Sequence, residues 1–163
     1  YGKDNKASID HKKCTGCGRC IGACSKNAIV QDWDSSGTGL SCKIAEYCRA
    51  VLDGRPNFHI TVVNQVSPNC DCHDESDLPI IPDIGIFAGF DPVALDQACI
   101  DAVNAAPCIN SSILSERSKK PQYEKGGTDY FTAIHPTTDW RCQLAHAEKI
   151  GLGTTKYELV TVK

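Results

Sequence analysis

Apolar positions along the chain change period several times, and each period predicts a different element. Leu40, Ile44, Tyr47, Val51 and Leu52 recur at helical spacing, which predicts a helix over 40–53 ended by Gly54 and Pro56. The runs 58–66 (FHITVVNQV) and 83–88 (DIGIFA) are short and rich in β-branched residues, so both read as strands buried on much of both faces. Asp91 and Pro92 stand as N-cap and first helical residue. Behind them Leu95, Ala98, Cys99, Ala102, Val103 and Ala106 form the apolar face of a helix over 91–106 that Pro107 stops. Thr137 or Thr138 is expected to cap a last helix with Trp140, Leu144, Ala147 and Ile150 inward, closed by Gly151. A final strand is expected over 157–162 (YELVTV). Residues 108–136 show no period and predict a long connection laid over the body. Near the start, 7–9 and 28–31 predict two short strands on either side of a helical turn over about 19–25.

Composition narrows the function classes. The 163 residues are 41% hydrophobic and 23% charged, enough for one soluble domain with or without a small appendage. A net charge of −3 gives no basic surface for nucleic acid or anionic membrane. No apolar run reaches the roughly 18 residues of a membrane span. The chain opens on Tyr1 and contains no Met, so it is expected to be a processed chain or a piece of a longer protein. Eleven cysteines is an odd number, which argues against a fully paired disulfide framework. They are also clustered, where disulfide scaffolds scatter theirs. Metal binding in a reducing, cytoplasmic setting is the better reading.

The cluster is CTGCGRCIGAC at 14–24. Cys14, Cys17, Cys20 and Cys24 follow C-x2-C-x2-C-x3-C, the bacterial ferredoxin spacing. Three thiolates from one tight loop fit a cubane [4Fe–4S] cluster, and Gly16 and Gly18 let backbone N–H groups turn toward the sulfurs. The fourth cysteine of such a run ligates the other cluster in two-cluster proteins. Cys14, Cys17 and Cys20 are therefore expected to share one cluster, and Cys24 to serve a second completed by an upstream segment. If no such segment is present, Cys24, Cys42, Cys48, Cys70 and Cys72 are the candidates for the missing ligand. A zinc site or metal-free thiols is the competing reading, although zinc knuckles present separated C-x2-C pairs. Ser25 stands where ferredoxins usually carry proline.

Cys70 and Cys72, in NCDCHDE at 69–75, form a second candidate metal pair, with His73 as a possible third ligand. They are expected to lie beside the first loop. Cys99 reads as a core residue, Cys42 and Cys48 as packing positions, and Cys108 and Cys142 carry no pattern. His11, His59, His135 and His146 have no partner at motif spacing. Asp91 is explained as a cap, so Asp83, Asp91 and Asp96 make no acid–base site, and no catalytic residue is assigned.

The run KCTGCGRCIGACSKNAI resembles bacterial-type ferredoxins. NCDC, PIIPDIGIFAGFDPVALDQACIDAVNAAP and WRCQLAHAEKIGLG extend a wider resemblance, to the C-terminal half of the ferredoxin-containing family known as domain of unknown function 362. The pattern of elements gives an α+β chain: a ferredoxin-like iron–sulfur segment over 1–35, then a mixed α/β body over 36–163 with a β-sheet and about three helices. The resemblance implies that the chain carries the second ferredoxin motif of the family only. It implies electron transfer to a redox partner or an upstream domain, or, as the alternative, a relay inside a redox enzyme.

Overall fold

The structure, a computed structural model, describes residues 7–10, 12–15, 17–30, 37–70, 77–118 and 129–162. The chain divides into two compact units, Tyr1–Ser35 and Ser36–Lys163. The second is a small mixed α/β unit built on a two-stranded antiparallel sheet.

In the first unit the described element is α1 (Arg19–Ala23). Gly18 precedes it at φ +72°, a left-handed conformation that suits glycine. Residues 7–9 and 28–30 form no strand; the expected strands are absent from the described part of this unit, and residue 31 lies outside it.

The second unit begins with α2 (Gly37–Leu52), then β1 (His59–Val63) and β2 (Gly85–Gly89), which pair from His59↔Gly89 to Val63↔Gly85. Next come α3 (Pro92–Ala105), α4 (Ile113–Ser118), α5 (Tyr130–Ile134) and α6 (Trp140–Lys149). Among the described residues this unit therefore has five helices rather than about three. The two extra ones fall inside the 108–136 stretch expected to be a plain connection. Both are too short to show a period; caps define them instead. Ser112 Oγ accepts the Ser115 N–H at 3.2 Å, and Asp129 accepts the Phe131 N–H at 3.1 Å.

Helix α3 is held at its start as the sequence predicts: Asp91 Oδ1 accepts from Val93 N at 2.9 Å and Ala94 N at 3.1 Å, with Pro92 in the first turn. It separates two apolar cores. Cys99 and Val103 join Val63, Ile80, Ile81, Leu114, Ala133 and Ile134 on one side, while Val93 joins Ala45, Leu144 and Ala147 on the other. The cap of helix α6 is Asp139, one residue after Thr138 and two after Thr137, and its carboxylate accepts the Cys142 N–H at 3.2 Å. Its end is a Schellman closure. Gly151, at φ +73°, donates to Glu148 O, and Leu152 N donates to Ala147 O, both at 2.9 Å.

The strands differ from expectation in burial. Residues 59, 61 and 63 of β1 and Phe87 of β2 face α3, whereas Ile60, Val62 and Ile86 are exposed. A two-stranded sheet covered by helix on one face leaves its other face open, however apolar the sequence. The 157–162 segment forms no strand; it lines a groove of about 720 Å³ together with β2 and with Ala94, Leu95 and Ala98 of α3.

Asp129 fastens α5 to α6. Its carboxylate caps α5 and also accepts from Trp140 Nε1 at 2.8 Å and Arg141 at 2.7 Å. Partial burial pushes its pKa up, but the Trp140, Arg141 and Phe131 donors outweigh this and hold it below the usual carboxylate value. A depressed folded pKa means its contribution is complete above the unfolded value of about 4 and is lost as pH falls through the folded one. Asp129→Asn is therefore expected to cost about 1–2 kcal/mol at pH 7. The gap from wild type should shrink below about pH 4 in urea titrations; a gap independent of pH would refute the assignment.

Candidate functional site

Within the first unit the cysteine loop is built around turns that leave sulfur accessible. Asp10 accepts the Lys12 N–H through Oδ1 and the Lys13 and Cys14 N–H groups through its carbonyl, each at 3.0 Å, which sets the approach to Cys14. Cys17 lies just before Gly18 and α1, Cys20 on α1, and Cys24 at its C-cap. Cys14, Cys17 and Cys20 are exposed, Cys24 is half-buried, and all four are free thiols.

Two of these sulfurs sit among hydrogen-bond donors. The chain leaving α1 turns through Asn27 N–H to Cys24 O at 3.1 Å, and this brings the Ala28 N–H to 3.3 Å from Cys24 Sγ. The Ala28 N–H, followed by that of Lys26, lowers the Cys24 pKa. The Arg19 N–H, followed by the Thr15 side chain, lowers that of Cys17. A helix end and a tight turn thus favour thiolate over thiol, the form that binds metal. Asn27, at φ +49°, takes the left-handed residue this turn requires.

The donor set is four soft thiolates, the kind that select iron–sulfur clusters or zinc. Its chemistry fits a cubane. Among the described residues, however, no three Cys, His, Asp or Glu side chains are gathered closely enough to hold a metal ion. The residue types and spacing suit a cluster, while the convergence of the sulfurs is not formed.

The other candidates separate clearly. Cys70 is exposed; Cys72, His73 and His11 lie outside the described residues. Cys99 is in the core, and burial, reinforced by the nearby Asp96 charge, pushes its thiol pKa up. The same two causes, in the same order, raise Cys48 on α2. Both are thereby disfavoured as thiolate ligands. Cys42 and Cys142 are half-buried, and Cys108 packs against the first core.

The described histidines make structural bonds. His59 pairs with Asn57 Oδ1 at 2.9 Å, His135 donates to Pro68 O at 2.7 Å, and His146 meets Glu46 of α2 at 3.0 Å. Sequence reasoning missed the donors around Cys24. Their signal was Lys26-Asn27-Ala28, where asparagine marks a left-handed turn.

Residues 5–101 match the family described as Domain of unknown function (DUF362). No curated protein and no solved structure matches the chain.

Proposed function

The chain belongs to the DUF362 family, and from its cysteine spacing we propose that its cysteine loop is the thiolate scaffold of an iron–sulfur electron-transfer module. The observation that carries this reading is the Ala28 N–H held against Cys24 Sγ inside a C-x2-C-x2-C-x3-C run. Cys14, Cys17 and Cys20 would hold a [4Fe–4S] cluster, with Cys24 as its fourth ligand or as the ligand of a second. A cluster bound there would supply one-electron transfer. The chain's own part is electrostatic. N–H groups pointing at sulfur stabilise negative charge on the thiolates, and such bonds are a main protein lever on cluster potential. Three exposed thiols and a half-buried fourth suit a reducing compartment, and the fitting partner is a redox protein or a further redox domain.

Anaerobic reconstitution with iron and sulfide tests this. About four irons and four sulfides per chain are expected, with the broad visible absorption of a cubane. Cys14→Ser, Cys17→Ser and Cys20→Ser should each strip or badly destabilise it. Wild-type iron content in all three variants would end the proposal, and zinc without sulfide would turn it into a structural metal site. The second unit has its own two cores, so chelation should leave its helical circular dichroism intact.

A further inference from the structure

On the face of the sheet turned away from α3, alternate residues of both strands and their flanks are all apolar. Phe58, Ile60, Val62, Ile86 and Phe90 are 54%, 63%, 55%, 71% and 76% exposed, and Ala88 is exposed with them. They stand in three cross-strand rows: Phe58 beside Phe90 with ring centroids 5.0 Å apart, Ile60 opposite Ala88, and Val62 opposite Ile86. No charge or hydrogen-bonding side chain interrupts them. Single exposed apolar residues are ordinary, but six contiguous ones on a flat sheet mark an interaction surface.

We propose that this sheet face is a homodimer interface, closed by a second copy of the chain packed face to face. Three properties select a second copy. The face carries no charge, so like meets like without repulsion, whereas a heterologous partner is commonly selected by charge complementarity. Its two phenylalanines, at roughly 150–250 Å² for a whole aromatic side chain, and its three smaller aliphatic side chains, each more than half exposed, together present on the order of 500 Å². Two copies then bury about 1,000 Å², the threshold for a biological interface and the size of a reversible one.

The face also complements itself in shape. A two-fold axis parallel to the strands lays β1 of each copy over β2 of the other. Ile60 then sits above the dip left by Ala88, and the phenylalanine rows meet. Sheets stacked in this way lie about 10 Å apart, a gap that interdigitated side chains of this size fill.

The test is sedimentation equilibrium of the full chain under reductant, so that exposed thiols cannot cross-link copies. The expected mass at micromolar concentration is twice the chain's 17.6 kDa. Ile60→Lys and Ile86→Glu should each weaken association at least tenfold with far-ultraviolet circular dichroism unchanged. Lysine at Leu40 or Tyr47, exposed on α2, should leave it intact.

Ala88→Leu is the sharper variant. It makes the face more apolar yet fills the dip, so a specific seat predicts weaker association and indiscriminate stickiness predicts stronger. A monomer up to about 100 μM, well above micromolar working concentrations, would overturn the proposal and leave the face to another partner. Tighter association of Ala88→Leu, or a dimer broken only by the α2 variants, would overturn it equally.

Discussion

Truncating Leu114 or Ile81 to alanine is expected to remove about 3 kcal/mol of stability in each case, within the 2–5 kcal/mol span of such changes. Both side chains are fully buried in the larger core, where Val63, Val103 and Ile134 surround the same volume. Neither site can relax easily. Ile80 and Ile81 sit on a connection fixed by Ile80 N to Val66 O at 2.8 Å and Ile109 N to Ile80 O at 2.9 Å. Leu114 is on a helix anchored by Ser112, itself fully buried. The cavity should therefore persist, lowering the melting temperature by roughly 6–12 °C for a chain of this size. Leu40→Ala, on the open side of α2, should change stability by no more than about 0.5 kcal/mol. Urea denaturation that finds Leu114→Ala as harmless as Leu40→Ala would refute this placement of the core.

Ile81 and Leu114 also show where the sequence stopped being legible. Helix α3 was readable because three independent signals agree: an Asp-Pro start, a 3.6-residue period and a proline stop. The end of α6 was readable because only glycine suits the left-handed residue of its closure. Ile81 lies between the elements that the pattern defines, and Leu114 is on α4, which is too short to display a period and falls in the 108–136 stretch read as a connection, so neither of these fully buried side chains carried a signal. Periodicity reports that an apolar stripe exists and says nothing of what covers it. Leu40, Ile44, Tyr47 and Val51 keep their helical spacing yet are exposed, while Ala45 makes the buried contact of α2. In the same way the large apolar side chains Ile60, Val62 and Ile86 lie on the face that α3 does not cover, while the covered face of β1 carries His59 and Thr61 beside Val63.

The candidate site follows a similar division. Its residue types and spacing could be read directly, because the C-x2-C-x2-C-x3-C run is a pattern of identities along the chain. The donors aimed at Cys24 could not, because they are backbone groups set by a turn. Among the described residues the side chains are not gathered into a group that could hold a metal ion, and the spacing alone does not say whether they would be.

The second large effect is expected where the chain after α6 returns to the start of α3. Asp91 Oδ2 accepts the Thr154 N–H at 2.9 Å while Oδ1 caps α3, so one carboxylate holds both segments. Gly153 lies directly against it: a Cβ there would stand 2.0 Å from Asp91 Oδ1 and 2.7 Å from its Cγ. Gly153→Ala must push away the carboxylate or the strap, losing the cap, worth about 1 kcal/mol, and the Thr154 bond, worth about 1–3 kcal/mol once its N–H is unpaired. The expected total is about 2–4 kcal/mol. Asp91→Ala should cost a similar amount by deleting the acceptor itself. The double variant distinguishes this from general disruption. With Asp91 already alanine, the new methyl group at position 153 no longer meets a carboxylate, so Gly153→Ala should cost little more. Neighbours that share one interaction are non-additive in this way, with coupling of roughly 0.5–3 kcal/mol. Fully additive losses in urea titrations would show that Gly153 is required for some other reason and that the carboxylate is not the obstacle.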